Sequence, residues 1–452
     1  MATEDFFIIA IEIGSSNVTG VAAKKLPDGT ISVQAVHREP SSSFVRRGMI
    51  YNMTRSVQTI NSIKERLEER IKRNITQVYV GFGGQSIYSV FNKVNRAFGS
   101  ETQVTKQVLE ELWNENLRMD IGTKTILDTV PQEFLAGKEH TLLPEGNIAD
   151  RIEGRYLNIV ARSSLRTNVE NCFNEAGIPV AGYKLTAVSE ANSILTDSEK
   201  RSGSVLVDFG ADTTTVVVFK DNLLRFISVI PLGSDNITKD LVSLQLEKEE
   251  AESLKINQGS AELDITTQEE ANYIIKKLPN GNDLTRKKFG ETIEARTKEI
   301  LINVKQQIED SGLDMGSLIG GAVLTGGGSN LKNLATVFAH ETGIVQVRVA
   351  KEVPNVQFAK DQIFKDRLLG VLSILNEGTQ NCCGVERKKD LDGRLFGTDE
   401  QPKPEEKAET QPEPEPAGEE KPKKLRKPLL GKVGRAFKSI GTIIGWDDDG
   451  TE

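Results

Sequence analysis

Two segments far apart in this chain repeat one layout. Ile8-Ile-Ala-Ile-Glu12-Ile-Gly14-Ser-Ser-Asn-Val-Thr19 and Val205-Leu-Val-Asp208-Phe-Gly210-Ala-Asp-Thr-Thr-Thr215 each run apolar stretch, acid, apolar residue, glycine, small hydroxyl residues, second apolar stretch. Each reads as a β-hairpin, and the repetition predicts two similar halves facing one another. Further strand-like runs at 78–82, 216–219 and 322–324 are separated by amphipathic stretches, an α/β alternation. One helix is predicted at 57–71, with Ile60, Ile63, Leu67 and Ile71 inward and Lys64, Glu65, Glu68 and Arg70 on a solvated face. Another is predicted at 289–308, with Ile293, Ile300 and Val304 on its apolar stripe.

The tip composition has a chemical use. Glycine admits close backbone approach, and consecutive tip amides form a nest for an anion. Ser15, Ser16, Asn17, Thr213 and Thr214, beside Gly14 and Gly210, add neutral donors for phosphate oxygens. Glu12 and Asp208 would repel phosphate unless a hydrated Mg²⁺ lay between, so they are the expected catalytic and metal-binding acids, acting through water. Taken singly, either hairpin also fits an ordinary turn. A third segment narrows the choice: the strand before Gly326-Gly327-Gly328-Ser329 ends in three glycines and reads as leading through an N-cap into a helix. It lacks the Walker lysine and does not match GxGxxG, which leaves a turn laid against a base or ribose at a helix N-terminus.

Hairpin, hairpin and Thr-Gly-Gly-Gly-Ser, in that order, resemble the phosphate 1, phosphate 2 and adenosine motifs of the actin, Hsp70 and sugar kinase superfamily. Small-residue helices at 187–195 and 368–374 resemble its two connecting helices. The resemblance implies an actin-like, ribonuclease H-like duplicated fold and ATP with Mg²⁺ as cofactors. It also implies that Glu252 and Lys255 flank adenine and ribose; read alone, these two share a helix face as a surface ion pair. Active relatives carry Glu or Gln just ahead of the first connecting helix. Thr186 stands there in this chain, and Glu190, a turn further on, is expected to point along the helix, so ATPase activity is expected to be weak or absent.

Three further motifs, Val-Arg-Arg-Gly-Met-Ile-Tyr-Asn at 45–52, Val-Tyr-Val-Gly-Phe-Gly-Gly at 78–84 and Val-Pro-Gln-Glu-Phe at 130–134, closely resemble the bacterial cell-division family FtsA. That resemblance implies subdomain 1A at 1–84, 163–186 and 363–384, an inserted 1C-type subdomain at 85–162, 2A at 187–236 and 303–362, and 2B at 237–302. It further implies self-association into filaments, capture of the FtsZ C-terminal tail by 2B, and a peripheral place on the cytoplasmic side of the cell membrane at the division septum. The rival readings are an actin-fold pilus-assembly ATPase and a small-molecule kinase. A kinase would need a sugar-pocket Asp, for which the sequence offers no evident candidate, and an Hsp70 would need a substrate-binding domain where this chain has a polar tail.

The tail reads independently of any family. Residues 385–423 are expected to be a disordered linker: 398–422 hold no aliphatic residue larger than Ala, and Pro402, Pro404, Pro412, Pro414 and Pro416 keep the stretch extended. Residues 424–446 form an amphipathic pattern, with Leu429, Leu430, Val433, Phe437, Ile440 and Ile444 on one helical face and Lys432, Arg435 and Lys438 opposite. Such a helix suits anionic membrane lipid. The formal net charge of −8 argues against a nucleic-acid partner. Three cysteines at spacings unlike a zinc site, and no basic leader or long apolar run, predict a cytoplasmic chain without disulfides or structural metal.

Overall fold

The computed structural model describes residues 6–279, 281–358 and 368–386. The stretch 424–446, expected from sequence to bind membrane, and all of the expected linker except residues 385 and 386 lie outside them. Each half of the chain is organised around a strand with apolar residues on both faces. In the first, β1 (Phe7–Ile13) pairs antiparallel with β2 (Asn17–Lys25), which pairs antiparallel with β3 (Ile31–Pro40). The helix α1 (Met53–Ile71) packs Ile60, Ile63 and Leu67 inward, and the chain then returns through β4 (Val78–Phe82), parallel to β1. Fully burying such a side chain is worth about 2 kcal/mol.

An insertion follows: the long antiparallel strands β5 (Tyr88–Gln103), β6 (Lys124–Ala136) and β7 (Ile148–Arg162), with a helix at Lys106–Asn116 between the first two. Tyr156 packs edge-on against Trp113 and Phe134 to give the insertion its own aromatic centre. The strand β8 (Val180–Leu185) then adds parallel to β4, and α2 (Thr186–Ile194) leaves the first half.

The second half repeats the first. β9 (Ser204–Phe209), β10 (Thr214–Lys220) and β11 (Leu223–Ile230) form the antiparallel trio. Helices α3 (Ser234–Val242), α4 (Lys248–Gln258) and α5 (Arg286–Asp310) precede β12 (Gly321–Thr325) and β13 (Val347–Val349), which add in parallel. The helix α6 (Leu369–Asn376) returns to pack on α2 and β1. The orders β3-β2-β1-β4-β8 and β11-β10-β9-β12-β13 are therefore one topology used twice. The backbone ladder of the second sheet continues into the insertion through a single pair, Ser228 with Tyr88.

Three expectations are corrected. The first helix begins at Met53, where Asn52 caps it by accepting the Arg55 N–H at 3.1 Å, because a polar first turn hides the start from apolar periodicity. Glu68 is not on a solvated face: it is buried at 3% exposure and accepts the Ile75 N–H at 2.7 Å, satisfying a backbone donor beyond the helix end. The strand Cys383–Glu386 carries regular structure past residue 385, where the linker was expected to begin.

Candidate functional site

The two hairpin tips are built alike. Gly14 N–H donates to Asn17 O and Gly210 N–H to Thr213 O, both at 3.0 Å. A Cβ on either glycine would sit 2.8 Å from that same carbonyl oxygen, so the tightness of the turn accounts for both glycines. Register places Glu12 opposite Thr19 and Asp208 opposite Thr215, at matching points in the two ladders. Both tips and both acids line one cleft of about 1260 Å³. That exceeds the roughly 300–1,000 Å³ of common small-ligand pockets, leaving room for a nucleotide with hydrated metal.

The glycine-rich segment reaches the same cleft with a different local shape from that expected. After Gly326, at φ +82°, residues Gly327–Asn330 form a 3₁₀ turn, and the α-helix starts only at Leu334. The turn forms because Ser329 turns its hydroxyl back to the Gly326 carbonyl at 2.7 Å. Gly327 lines the cleft and has open space beside it. Glu252 and Lys255 line it too, on α4. Lys255 is not a surface cation: its side chain is 8% exposed and its Nζ reaches Glu252 at 2.7 Å, Thr238 Oγ1 at 2.8 Å and the Ser234 carbonyl at 3.1 Å.

Of the residues expected here, Glu12, Gly14, Ser15, Ser16, Asn17, Asp208, Gly210, Thr213, Glu252, Lys255, Gly326, Gly327 and Gly328 all line the cleft. Thr214 and Ser329 do not. Thr214 is buried and donates its hydroxyl to the Leu232 carbonyl at 2.8 Å, while Ser329 is spent on the turn just described. Strand alternation carries the Thr214 hydroxyl away from the tip, and the 3₁₀ turn folds that of Ser329 back onto Gly326.

Several cleft residues carry no motif. Glu190 does not point along its helix: it is 3% exposed, lines the cleft, and accepts a long 3.5 Å hydrogen bond from Thr325. Its neighbour one turn back, Thr186, also lines the cleft. Loss of water raises the Glu12 carboxyl to about 7, with repulsion from Asp208 adding to it and Arg38 opposing it. Asp208 is raised to about 6 by the same loss of water. Glu190 is raised by burial first and then by Asp208 and Glu12. Asp212, from the second tip, accepts the Arg47 N–H at 2.9 Å across the cleft. The available signal for Glu190 was an acid inside a run of small residues.

These donors fit a polyphosphate and a hydrated divalent cation: neutral hydroxyls and turn amides at the tips, carboxyls behind them. Among the described residues, no three His, Cys, Asp or Glu side chains converge to grip a bare ion.

The sequence model of the family described as Cell division protein FtsA matches residues 205–365. The cell division protein FtsA of Porphyromonas gingivalis is 28% identical over 385 residues, covering 82% of this chain and 78% of that protein. Its counterpart in Bacillus subtilis is 27% identical, covering 78% and 80%. This chain is similar to the FtsA family. The likeness to FtsA accords with the duplicated sheets, as does a solved structure of the PilM-PilN type IV pilus biogenesis complex, one chain of which superposes at a TM-score of 0.57. At 15% identity over 81% of this chain and 97% of that one, it supports the actin-like fold alone. No helix among the described residues is long and apolar enough to cross a membrane.

Proposed function

We propose that this chain is a member of the FtsA family that binds ATP with Mg²⁺ between its two hairpins, assembles into filaments at the inner face of the cytoplasmic membrane, and tethers FtsZ there during septum assembly. The observation that carries the reading is the convergence of two matching acid-x-Gly tips and a Gly326–Gly328 turn on one cleft. The tip amides and the hydroxyls of Ser15, Ser16 and Thr213 hold phosphate oxygens. Ser15 Oγ already accepts the Gly48 N–H at 2.9 Å, which leaves its own proton free to donate. Gly327 lies against the base or ribose, with Lys255 and Glu252 beside it. Glu12 and Asp208 receive the water shell of the cation, whose charge would offset theirs.

Membrane attachment rests on the sequence of residues 424–446, whose apolar and basic faces are segregated. Capture of the FtsZ tail by the segment 237–302 and filament formation rest on the likeness to FtsA. Electron microscopy on anionic lipid monolayers with ATP, beside liposome co-sedimentation, tests the reading. Filaments on lipid are expected for the full chain, and Phe437→Glu is expected to lose liposome binding while still binding ATP. Gly327→Trp is expected to remove ATP binding, because the side chain fills the space beside the turn. Unchanged lipid binding by the first variant sinks the anchor, and unchanged ATP affinity in the second sinks the cleft assignment.

A further inference from the structure

The cleft floor holds more acid than the two hairpins supply. Glu190 Oε2 has no hydrogen-bond partner although the residue is 3% exposed, and Thr186 Oγ1, on a residue 8% exposed, has none either. An unsatisfied buried polar atom costs on the order of 1–3 kcal/mol, more for a charged one, so the open oxygen of Glu190 calls for a ligand. Thr186 and Glu190 lie four residues apart on α2, hence on one helical face.

Close approaches place the same face among the other acids. A Cβ on Gly370 of α6 would fall 2.5 Å from Glu12 Oε1 and 2.7 Å from Thr186 Cγ2, so those two side chains meet over that glycine. On the far side, Glu190 touches Thr325, and a Cβ on the adjacent Gly326 would fall 2.2 Å from Asp208 Oδ1. Glu12, Thr186, Glu190 and Asp208 thus ring one floor. Arg38 counters Glu12, whereas the charged groups that act on Glu190 among the described residues are the acids Asp208 and Glu12.

Resting on the nucleotide reading above, we propose that Glu190 is a third outer-shell carboxylate for the hydrated divalent cation, with Thr186, whose methyl faces Glu12 and whose hydroxyl lies against Gly81, serving to wall the floor. The chemistry is that of a small, hard cation that keeps several waters. Those waters donate to oxygens too widely spaced to bind the bare ion, and their protons match the acceptor left open on Glu190. The acid on the first connecting helix is therefore a positioning residue for the metal, one turn away from where sequence placed the functional position.

The test measures affinity of the full chain for ADP by calorimetry, in EDTA and in MgCl₂, for the native protein, Glu190→Gln and Thr186→Val, with melting of each protein free of metal. Glu190→Gln is expected to keep the EDTA affinity within about twofold and to lose about tenfold of the tightening that Mg²⁺ gives, the scale on which outer-shell partners of metals act. Thr186→Val, which keeps the wall, is expected to keep that tightening. Without metal, Glu190→Gln is expected to melt higher than the native protein, since it removes an uncompensated carboxylate; a residue needed only for its bond to Thr325 would lower it. Full Mg²⁺ tightening in Glu190→Gln overturns the proposal and leaves the nucleotide site standing. Absence of ADP binding by the native protein in either buffer overturns the nucleotide reading itself.

Discussion

The Gly14 hairpin and the Gly210 hairpin share a backbone turn and differ in what braces it. The first is held by a loop: Ser41 donates its hydroxyl to the Gly14 carbonyl at 2.6 Å and its N–H to the Ser16 carbonyl at 3.0 Å. The second is held by a helix start, where Ser234 N–H donates to the Gly210 carbonyl at 3.0 Å and Asp235 N–H to the Ala211 carbonyl at 2.8 Å. Their acids differ in the same sense. Glu12 is walled by the side chain of Thr186 beside Gly370, whereas Asp208 is walled by the backbone of the Gly326 turn. Duplicated geometry has been kept at the turn while its surroundings diverged, giving one hairpin yielding neighbours and the other fixed ones.

The largest effect should come from testing the walls. Gly326→Ala puts a Cβ 2.6 Å from the Phe209 carbonyl oxygen at a φ of +82°, and backbone cannot give way as a side chain can. We expect a loss of about 3 kcal/mol or more in unfolding free energy. Gly370→Ala meets the ends of two side chains and should cost less than half of that. Equal losses would show that the two walls are equally stiff.

Titration separates the two acids next. Both have folded-state values above the ordinary carboxylate range, Glu12 at about 7 and Asp208 at about 6. The folded protein therefore holds protons that the unfolded chain has released, and stability falls as pH rises from about 4 to 7. In magnesium-free buffer, each acid should contribute on the order of 3 kcal/mol to this fall. Glu12→Gln should flatten its upper part and Asp208→Asn its lower part in melts recorded across that range. A slope that neither variant alters would place the titrating group elsewhere.

The smallest effect concerns the bond between the second tip and the loop beside the first. Asp212→Ala leaves the Arg47 N–H without its acceptor and should cost about 1 kcal/mol. Hydrogen exchange at Arg47 should quicken about fivefold while the amide of Gly14, paired within its own turn, keeps its rate. Equal quickening at both would mean that the cross-cleft bond braces the whole first hairpin.

Much of this was legible because the repeated layout is local. Acid, glycine and hydroxyl positions within one hairpin fix their own geometry, so both tips and both acids could be read as partners before any fold was known. Composition says which residues are near a tip but not which way a hydroxyl turns, and Thr214 and Ser329 turn theirs to the Leu232 and Gly326 carbonyls. Glu190 was discounted because a helix start uncertain by one residue rotates its face by about 100°. In the structure α2 starts at Thr186, which brings Thr186 and Glu190 to the cleft together. The burial of Lys255 was equally hidden, since its acceptors come from α3, on Ser234 and Thr238, as well as from α4.

The single ladder pair between Tyr88 and Ser228 has a mechanical consequence. Beside it the main-chain pairing stops, and Ser89 Oγ takes over, receiving the Ile227 N–H at 3.1 Å and donating to its carbonyl at 3.3 Å. Farther along, the Gln132 amide reaches the Leu224 carbonyl at 3.0 Å. A sheet loaded at its far end bends where rungs are fewest, and side-chain links stretch by rotating torsions where ladder bonds would break. The insertion is thus joined to the second sheet less by main-chain rungs than by side chains, with Leu157 and Ile159 sharing one buried core with Leu224 and Ile227.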